Sequence, residues 1–450
     1  MKKSFKVVCI LIIAGVLISC KAGIFTKNAV EKVFKADSSG GATTRVSVAS
    51  DGSQSKSGSS EPSISEDGRY VAFEYFGDNL GGEVTSFIDN IFLHDTHTGE
   101  TTLVSVASDG SQGNSSSEDP SISGDGRFVA FQSGATNLVS GDNNEERDIF
   151  LHDSHTGETT LVSVASDGSQ GNSYNGWSDS PSISGDGRFV AFESKSPYLV
   201  VGDTNESVDV FLHDTHTGET TLVSVASDGS QGNDDSECYN SGPAISADGR
   251  YVAFCSFATN LVSEDNNEES DVFLHDTHTG ETILVSVASD GSHWNRYTTA
   301  PSISRDGRYV AFTAELSDTS YIGAIFLHDT QTGETALVSV ASDGSQGNSH
   351  SNNPSISGDG RFVVFESKST NLVIGDTNES VDVFLHDTKT GETIRVSVDS
   401  DGIHWVGDSM SPSISGDGRY VAFESEAANL VSEDTNQRTD VFLHNLSGSK

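Results

Sequence analysis

The chain has 450 residues, with 66 Asp or Glu against 25 Lys or Arg, and a formal net charge of −41 at pH 7. So acidic a surface repels nucleic-acid phosphates and anionic headgroups, so no nucleic-acid partner is expected. The same charge is compatible with metal cations, with basic partners, or with a merely soluble surface.

The N-terminus carries Lys2, Lys3 and Lys6, then an apolar run from Val7 to Leu17. That run has signal-peptide length and is short for a membrane span. It ends in Leu17-Ile18-Ser19-Cys20, which resembles the lipobox of bacterial lipoproteins. The resemblance implies a signal peptide at 1–19 and lipidation of Cys20. Lys21 is unlike an acidic inner-membrane retention signal. The expected location is the bacterial cell envelope, at the outer membrane or cell surface, with membrane contact only through the lipid. Residues 20–43 end in Ser-Ser-Gly-Gly and are read as a tether.

From residue 44 the chain repeats. The phrase Pro-Ser-Ile-Ser-Gly-Asp-Gly-Arg-Phe-Val-Ala-Phe recurs with small changes at Pro62, Pro120, Pro181, Pro243, Pro301, Pro354 and Pro412, a period suited to four-stranded propeller blades. Strand A is Pro-Ser-Ile-Ser, followed by an Asp-Gly turn that supplies positive φ. Strand B is Phe128–Phe131 in the second copy. Strand C is Asp209–Asp214 in the third, and strand D is Thr220–Val225 after a Thr-Gly-Glu turn. The repeats open on a lone D strand, Thr44–Val48, and close on a lone C strand, Asp440–His444. The two ends make one complete blade only if they pair. The expected fold is therefore all-β: a seven-bladed propeller over 44–446, closed by its N-terminal strand, with a tail at 447–450.

The Ser-x-Asp-Gly-Arg-Φ-Val-Ala-Phe core, with its Asp-Val-Φ-Leu strand and Thr-Gly-Glu turn, resembles the TolB-type, WD-repeat-like propeller repeat of bacteria. The Gly-His and Trp-Asp dipeptides of the eukaryotic WD repeat are missing. The family spans scaffolds, peptidase-associated propellers and a lyase-like group, so the resemblance implies fold more than function. In such propellers the D-to-A and B-to-C loops share one face.

Four features stand out against the template. The B-to-C loops carry Asp-x-Asn-x-x-x-Asp at Asp142, Asn144, Asp148; Asp203, Asn205, Asp209; Asp265, Asn267, Asp271; Asp376, Asn378, Asp382; and Asp434, Asn436, Asp440. Oxygens at alternate positions suit Ca²⁺. Asx turns onto the loop's own backbone would use the same residues. Phe-Leu-His pairs such as His94 and His97 have metal-like spacing, but the second His becomes Gln331 and Lys389 elsewhere, as a packing residue beside a loose turn would. The D-to-A loops hold Tyr174, Trp177, Tyr239, Trp294, Arg296, Tyr297 and Trp405, which could bind a sugar ring or a peptide side chain, or cover neighbouring blades. Cys238 and Cys255 flank adjacent strands of one repeat and could form a disulfide in an exported protein.

No nucleophile elbow, zincin motif or phosphate loop occurs, so no catalytic residue is assigned. The expectation is a lipid-anchored, monomeric binding or scaffold protein recognising a glycan or protein through one propeller face. The alternative is a metal-dependent polysaccharide lyase using His293, His350 and His404 at the central funnel.

Overall fold

The computed structural model describes residues 41–81, 88–171, 176–238, 241–263, 265, 267–292, 294, 296–317, 320–403 and 406–446. Residues 1–40, with the expected signal peptide, Cys20 and most of the expected tether, lie outside the described residues, as does the tail 447–450. Among the described residues no helix is long and apolar enough to cross a membrane.

The strands form seven four-stranded antiparallel sheets, one per repeat. In blade two they are Ser117–Ile122 (A), Phe128–Ser133 (B), Asp148–Asp153 (C) and Glu158–Leu161 (D), paired in that order. The A strand thus starts ahead of its proline, and the D strand stops short of the expected Thr-Thr-Leu-Val-Ser-Val. In blade three it covers Glu219–Leu222.

The B and C strands are covered on both faces, which is why they read as unbroken apolar runs rather than alternating ones. Val129, Ala130, Phe131, Ile149 and Phe150 have no exposed surface. Alternate side chains go to opposite neighbours. Ala72, Ile91 and Leu93 of blade one join Val129, Phe131 and Phe150 of blade two. Ala130, Ile149 and Leu151 of blade two join Val190 and Phe192 of blade three. The core therefore lies between blades, and burying each such Phe contributes about 1.5–3 kcal/mol.

The ring is closed by the N-terminal strand. Ala42–Arg45 pairs antiparallel with Asp440–Asn445, with Thr44 opposite Leu443. The strand begins at Ala42, ahead of the expected Thr44, so the tether ends sooner. The reason is Thr43. Its hydroxyl donates to the Val398 carbonyl at 2.5 Å and meets His444 Nδ1 at 2.8 Å. Thr101 does the same with the Val48 carbonyl and His94. Because the hydroxyl proton goes to the carbonyl, the imidazole Nδ1 must carry the proton of the second bond. Phe-Leu-His is thus a tie from blade to blade. Burial lowers the pKa of these imidazoles, that of His444 to about 4, and keeps them neutral. The second His of each pair contributes its backbone: the His97 N–H donates to Asp95 Oδ1.

The turn face is uniform for a physical reason. Gly126, at φ +75°, lays its bare Cα face on the Tyr70 ring of the preceding blade, and a Cβ there would stand 2.1 Å from Tyr70 Cδ2. Only glycine meets both demands. The adjoining Arg127 stacks on Phe128 at 4.6 Å and grips Asp153 with two nitrogens at 2.9 and 2.6 Å. In blade seven the Asp is replaced by Asn445, and Arg419 turns to Asp417 instead.

Candidate functional site

Six of the seven A strands bulge just before the proline, and in blade four, whose A strand Ala244–Ile245 starts after Pro243, the preceding loop carries Gly242 there. The residues there are Glu61, Asp119, Ser180, Gly242, Ala300, Asn353 and Ser411, all with φ between 47° and 65°. For a non-glycine residue this backbone state costs of order 1–3 kcal/mol. A buried acceptor on the previous blade offsets it. The Asp119 N–H donates to Glu74 Oε1 at 2.8 Å, Ser180 to Gln132 at 2.9 Å, Ser411 to Glu366 at 3.0 Å and Glu61 to Glu424 at 3.1 Å. All seven prolines and these residues, with Ser241 in place of Gly242 in blade four, line a central cavity of about 500 Å³.

The electrostatics of that cavity are lopsided. Burial first, then mutual repulsion with Asp119, Glu61 and Glu118, pushes Glu74 up to about 8. Burial and the same neighbours push Asp119 up to about 7, and burial and Glu61 push Glu424 up to about 7. Burial also raises Glu61 and Asp179. Arg147 offsets Asp179 through a 2.9 Å bond. The corresponding B-strand positions of blades four and five are Cys255 and Thr313, which carry no charge. The acidic groups run from blade six, with Glu366, through blade seven to blade three, and the neutral B-strand positions are those of blades four and five.

Beside the acidic arc lies a second pocket of about 220 Å³, lined by Asp119, Gln132, Arg147, Trp177, Asp179, Ser180, Glu193, Glu237 and Cys238. Glu193 is 5% exposed; its Oε1 accepts the Cys238 N–H at 2.8 Å, and burial pushes its pKa up to about 8. Trp177 is held by its carbonyl, which accepts from Lys195 N–H and Ser194 Oγ, both at 3.0 Å.

The other aromatic candidates do not gather here. Trp294 packs inward, its ring 4.6 Å from Phe326 and 5.9 Å from Phe312. Arg296 lies over Trp294 at 5.8 Å and donates to the Glu315 carbonyl at 3.2 Å. Tyr297 is half-buried against Phe257. These three cover the junction of blades four and five. Tyr174, Tyr239 and Trp405 lie outside the described residues, as do His293 and His404. His350 Nδ1 accepts the Gly323 N–H at 3.2 Å.

The acidic B-to-C loops are Asx turns closed by amide donors. Asn144 Oδ1 accepts the Glu146 N–H, Asn205 the Ser207, Asn267 the Glu269, Asn378 the Ser380 and Asn436 the Arg438. In blade two, Gln170 Nε2 donates to both Asp142 and Asp148 at 2.8 Å, and Ser163 Oγ donates to Asp148 at 2.6 Å. Gln231 serves Asp203 and Asp209 alike. In blade six the fully buried Arg395 places Nη1 3.1 Å from Asp382 and 3.3 Å from Asp376. In blades two, three and six, N–H donors thus engage the carboxylate oxygens of these loops. Among the described residues no three His, Cys, Asp or Glu side chains are grouped to hold a metal ion.

Cys238 and Cys255 are joined in a disulfide, with Cα atoms 5.1 Å apart. It anchors an insertion: five residues separate Glu237 from Pro243 in blade four, where a single residue separates Glu118 from Pro120 in blade two. Ser241 of this insertion lines the axial cavity. The buried B-strand carboxylates and the residues before the prolines were missed as candidates in the sequence. Their signal was the varying residue after each Val-Ala-Phe or Val-Val-Phe, a Glu in four of the seven blades.

No family model matches the chain, and no curated protein matches its sequence. Solved structures share the fold. The β-propeller domain of the Trilobed protease from Pyrococcus furiosus, described as having an open velcro topology, is 12% identical over 87% of this chain and 98% of its own, with TM-score 0.53. A prolyl endopeptidase is 14% identical over 88% of this chain, with TM-score 0.55, and the chain spans 49% of its length. TolB from Acinetobacter baumannii is 16% identical over 73% of this chain and 66% of its own, with TM-score 0.41. At such identities the likeness concerns fold alone.

Proposed function

We propose that this chain is a non-catalytic binding protein of the bacterial cell envelope, lipid-anchored through Cys20, that engages a protein partner through the loop face around its axial cavity. One observation carries the reading. Seven otherwise alike blades differ in charge and shape around that cavity, with carboxylates on one arc and neutral groups on the other. Identity between blades serves the ring, whereas a single asymmetric ligand needs asymmetry. The overall charge favours a partner with basic groups. A protein is favoured over a glycan because Trp294 and Tyr297 spend their ring faces inside the molecule, which leaves little aromatic platform for a sugar.

A photo-crosslinking residue tests this when placed at Glu118 on the axial face and, separately, at Thr156 on the turn face of the same blade. In the native host, Glu118 should give discrete protein adducts and Thr156 none. Adducts from both sites alike, or from neither, would remove the axial-face reading. Retention of the purified chain by a glycan array without protein adducts would turn it to a carbohydrate ligand.

A further inference from the structure

The pocket beside Trp177 draws its wall from three successive blades. Blade two gives Asp119, Gln132 and Arg147, blade three gives Trp177, Asp179 and Glu193, and the disulfide-anchored insertion of blade four gives Glu237 and Cys238. The insertion begins where other blades place their residue before proline, and its first residues, Glu237 and Cys238, form one side of the recess. We propose that this recess binds one guanidinium or ammonium side chain, an Arg or Lys of the protein partner. The inference rests on the axial-face reading and adds the chemistry of the group recognised.

The wall composition argues for an organic cation. Four carboxylates face the recess, those of Asp119, Asp179, Glu193 and Glu237. Its one cationic group, Arg147, is bonded to Asp179 at 2.9 Å. The carboxylates line a cavity without converging on a point, since no metal-holding group occurs among the described residues. An extended cation can use separated acceptors, whereas a bare metal ion cannot. Trp177 supplies the aromatic wall, and an indole face attracts a cation most strongly among the side-chain rings. Glu193, nearly fully buried on the recess wall, gives one oxygen to the Cys238 N–H. Burial and neighbouring carboxylates raise its pKa, and an incoming cation would relieve that condition.

The test is calorimetric titration of the purified chain with an acetylated, amidated pentapeptide holding a single Arg, beside its Lys and citrulline counterparts. Citrulline keeps the shape and removes the charge. The Arg or Lys peptide should bind, and citrulline should bind at least about tenfold more weakly. Glu193→Gln keeps an acceptor for the Cys238 N–H and removes the charge; it should weaken binding about tenfold or more, as should Trp177→Ala. Glu366→Gln is the control, because Glu366 holds the same fold position in blade six and does not line this recess. Equal binding of citrulline and Arg peptides, or equal affinity for the Glu193→Gln and Glu366→Gln chains, would overturn the assignment. Should Glu193→Gln fail to fold, Glu237→Gln at the pocket wall carries the same comparison. Absence of peptide binding with Glu118 adducts intact would remove this pocket and leave the axial face standing.

Discussion

Arg395 offers the sharpest test of how these loops are held. It is fully buried, with Nη1 3.1 Å from Asp382 Oδ2 and 3.3 Å from Asp376 Oδ1. Blades two and three have Leu161 and Leu222 at this position and satisfy their carboxylates with Gln170 and Gln231. Blade six has His404 at the Gln position. Arg395→Leu therefore leaves two buried carboxylates without their cation, and breaking such a pair costs about 3–5 kcal/mol. Adding His404→Gln should return the amide donors of the other blades and recover most of that loss, to within about 1.5 kcal/mol of the parent. Burial already raises Asp382, and Arg395 opposes the rise. Without Arg395 the folded pKa climbs further above the unfolded value, so the folded chain keeps a proton that the unfolded chain releases. Stability then falls as pH rises through that interval, and the Arg395→Leu deficit should be larger at pH 8 than at pH 5. Urea unfolding of the parent, single and double variants at both pH values measures this. A single variant as stable as the parent, or a double variant no better than the single, would refute the reasoning.

The parent should show the same trend through its axial carboxylates. Glu74, Glu193, Glu424 and Asp119 have folded pKa values of about 8, 8, 7 and 7, raised chiefly by burial. Unfolded carboxyls titrate near 4 and unfolded imidazoles near 6.5. The buried imidazoles, with lowered pKa, work in the opposite sense below that point. The carboxylate effect therefore stands alone above about pH 7, where melting temperature should decline toward pH 8; a rise from about pH 7 to 8 would contradict the axial electrostatics. Gly126→Ala should destabilise by more than about 2 kcal/mol, from both its positive φ and its clash with Tyr70, whereas Gly110→Ala, with the same sign of φ but open space, should lose only about 1 kcal/mol. Equal losses would mean that the glycine-on-ring latch is not tight. Reducing Cys238–Cys255, 17 residues apart, should remove about 3 kcal/mol from unfolding stability, and an unchanged urea midpoint under reductant would contradict a structural disulfide. Chelator should shift melting by less than about 1 °C, since amide and guanidinium donors engage the acidic loops of blades two, three and six; a large Ca²⁺-dependent rise would place a metal in those loops.

Much of the fold was legible because it is local and repeated. Seven Pro-x-Ile phrases, Asp-Gly turns and unbroken apolar strands of the Val-Ala-Phe type specify blades one at a time, and an unmatched strand at each end implies closure. The constant Phe-Leu-His was readable as packing from its indifference to the turn beside it, although its partner was not. Thr43 and Val398 lie 355 residues apart and meet only when the ring shuts. The same distance in sequence hid the axial carboxylates. Each accepts from a residue on the next blade, Glu74 from Asp119 and Glu193 from Cys238, and nothing in a single repeat marks that bond. Trp177 and Trp294 look alike as departures from a polar loop, yet one walls a recess and the other fills a core. Sequence by itself determined the number, order and closure of the blades, because hydrophobic pattern and turn chemistry act within a repeat. Tertiary structure alone decided the candidate site, because its charge, its strain and its pocket arise where three different blades converge on one axis.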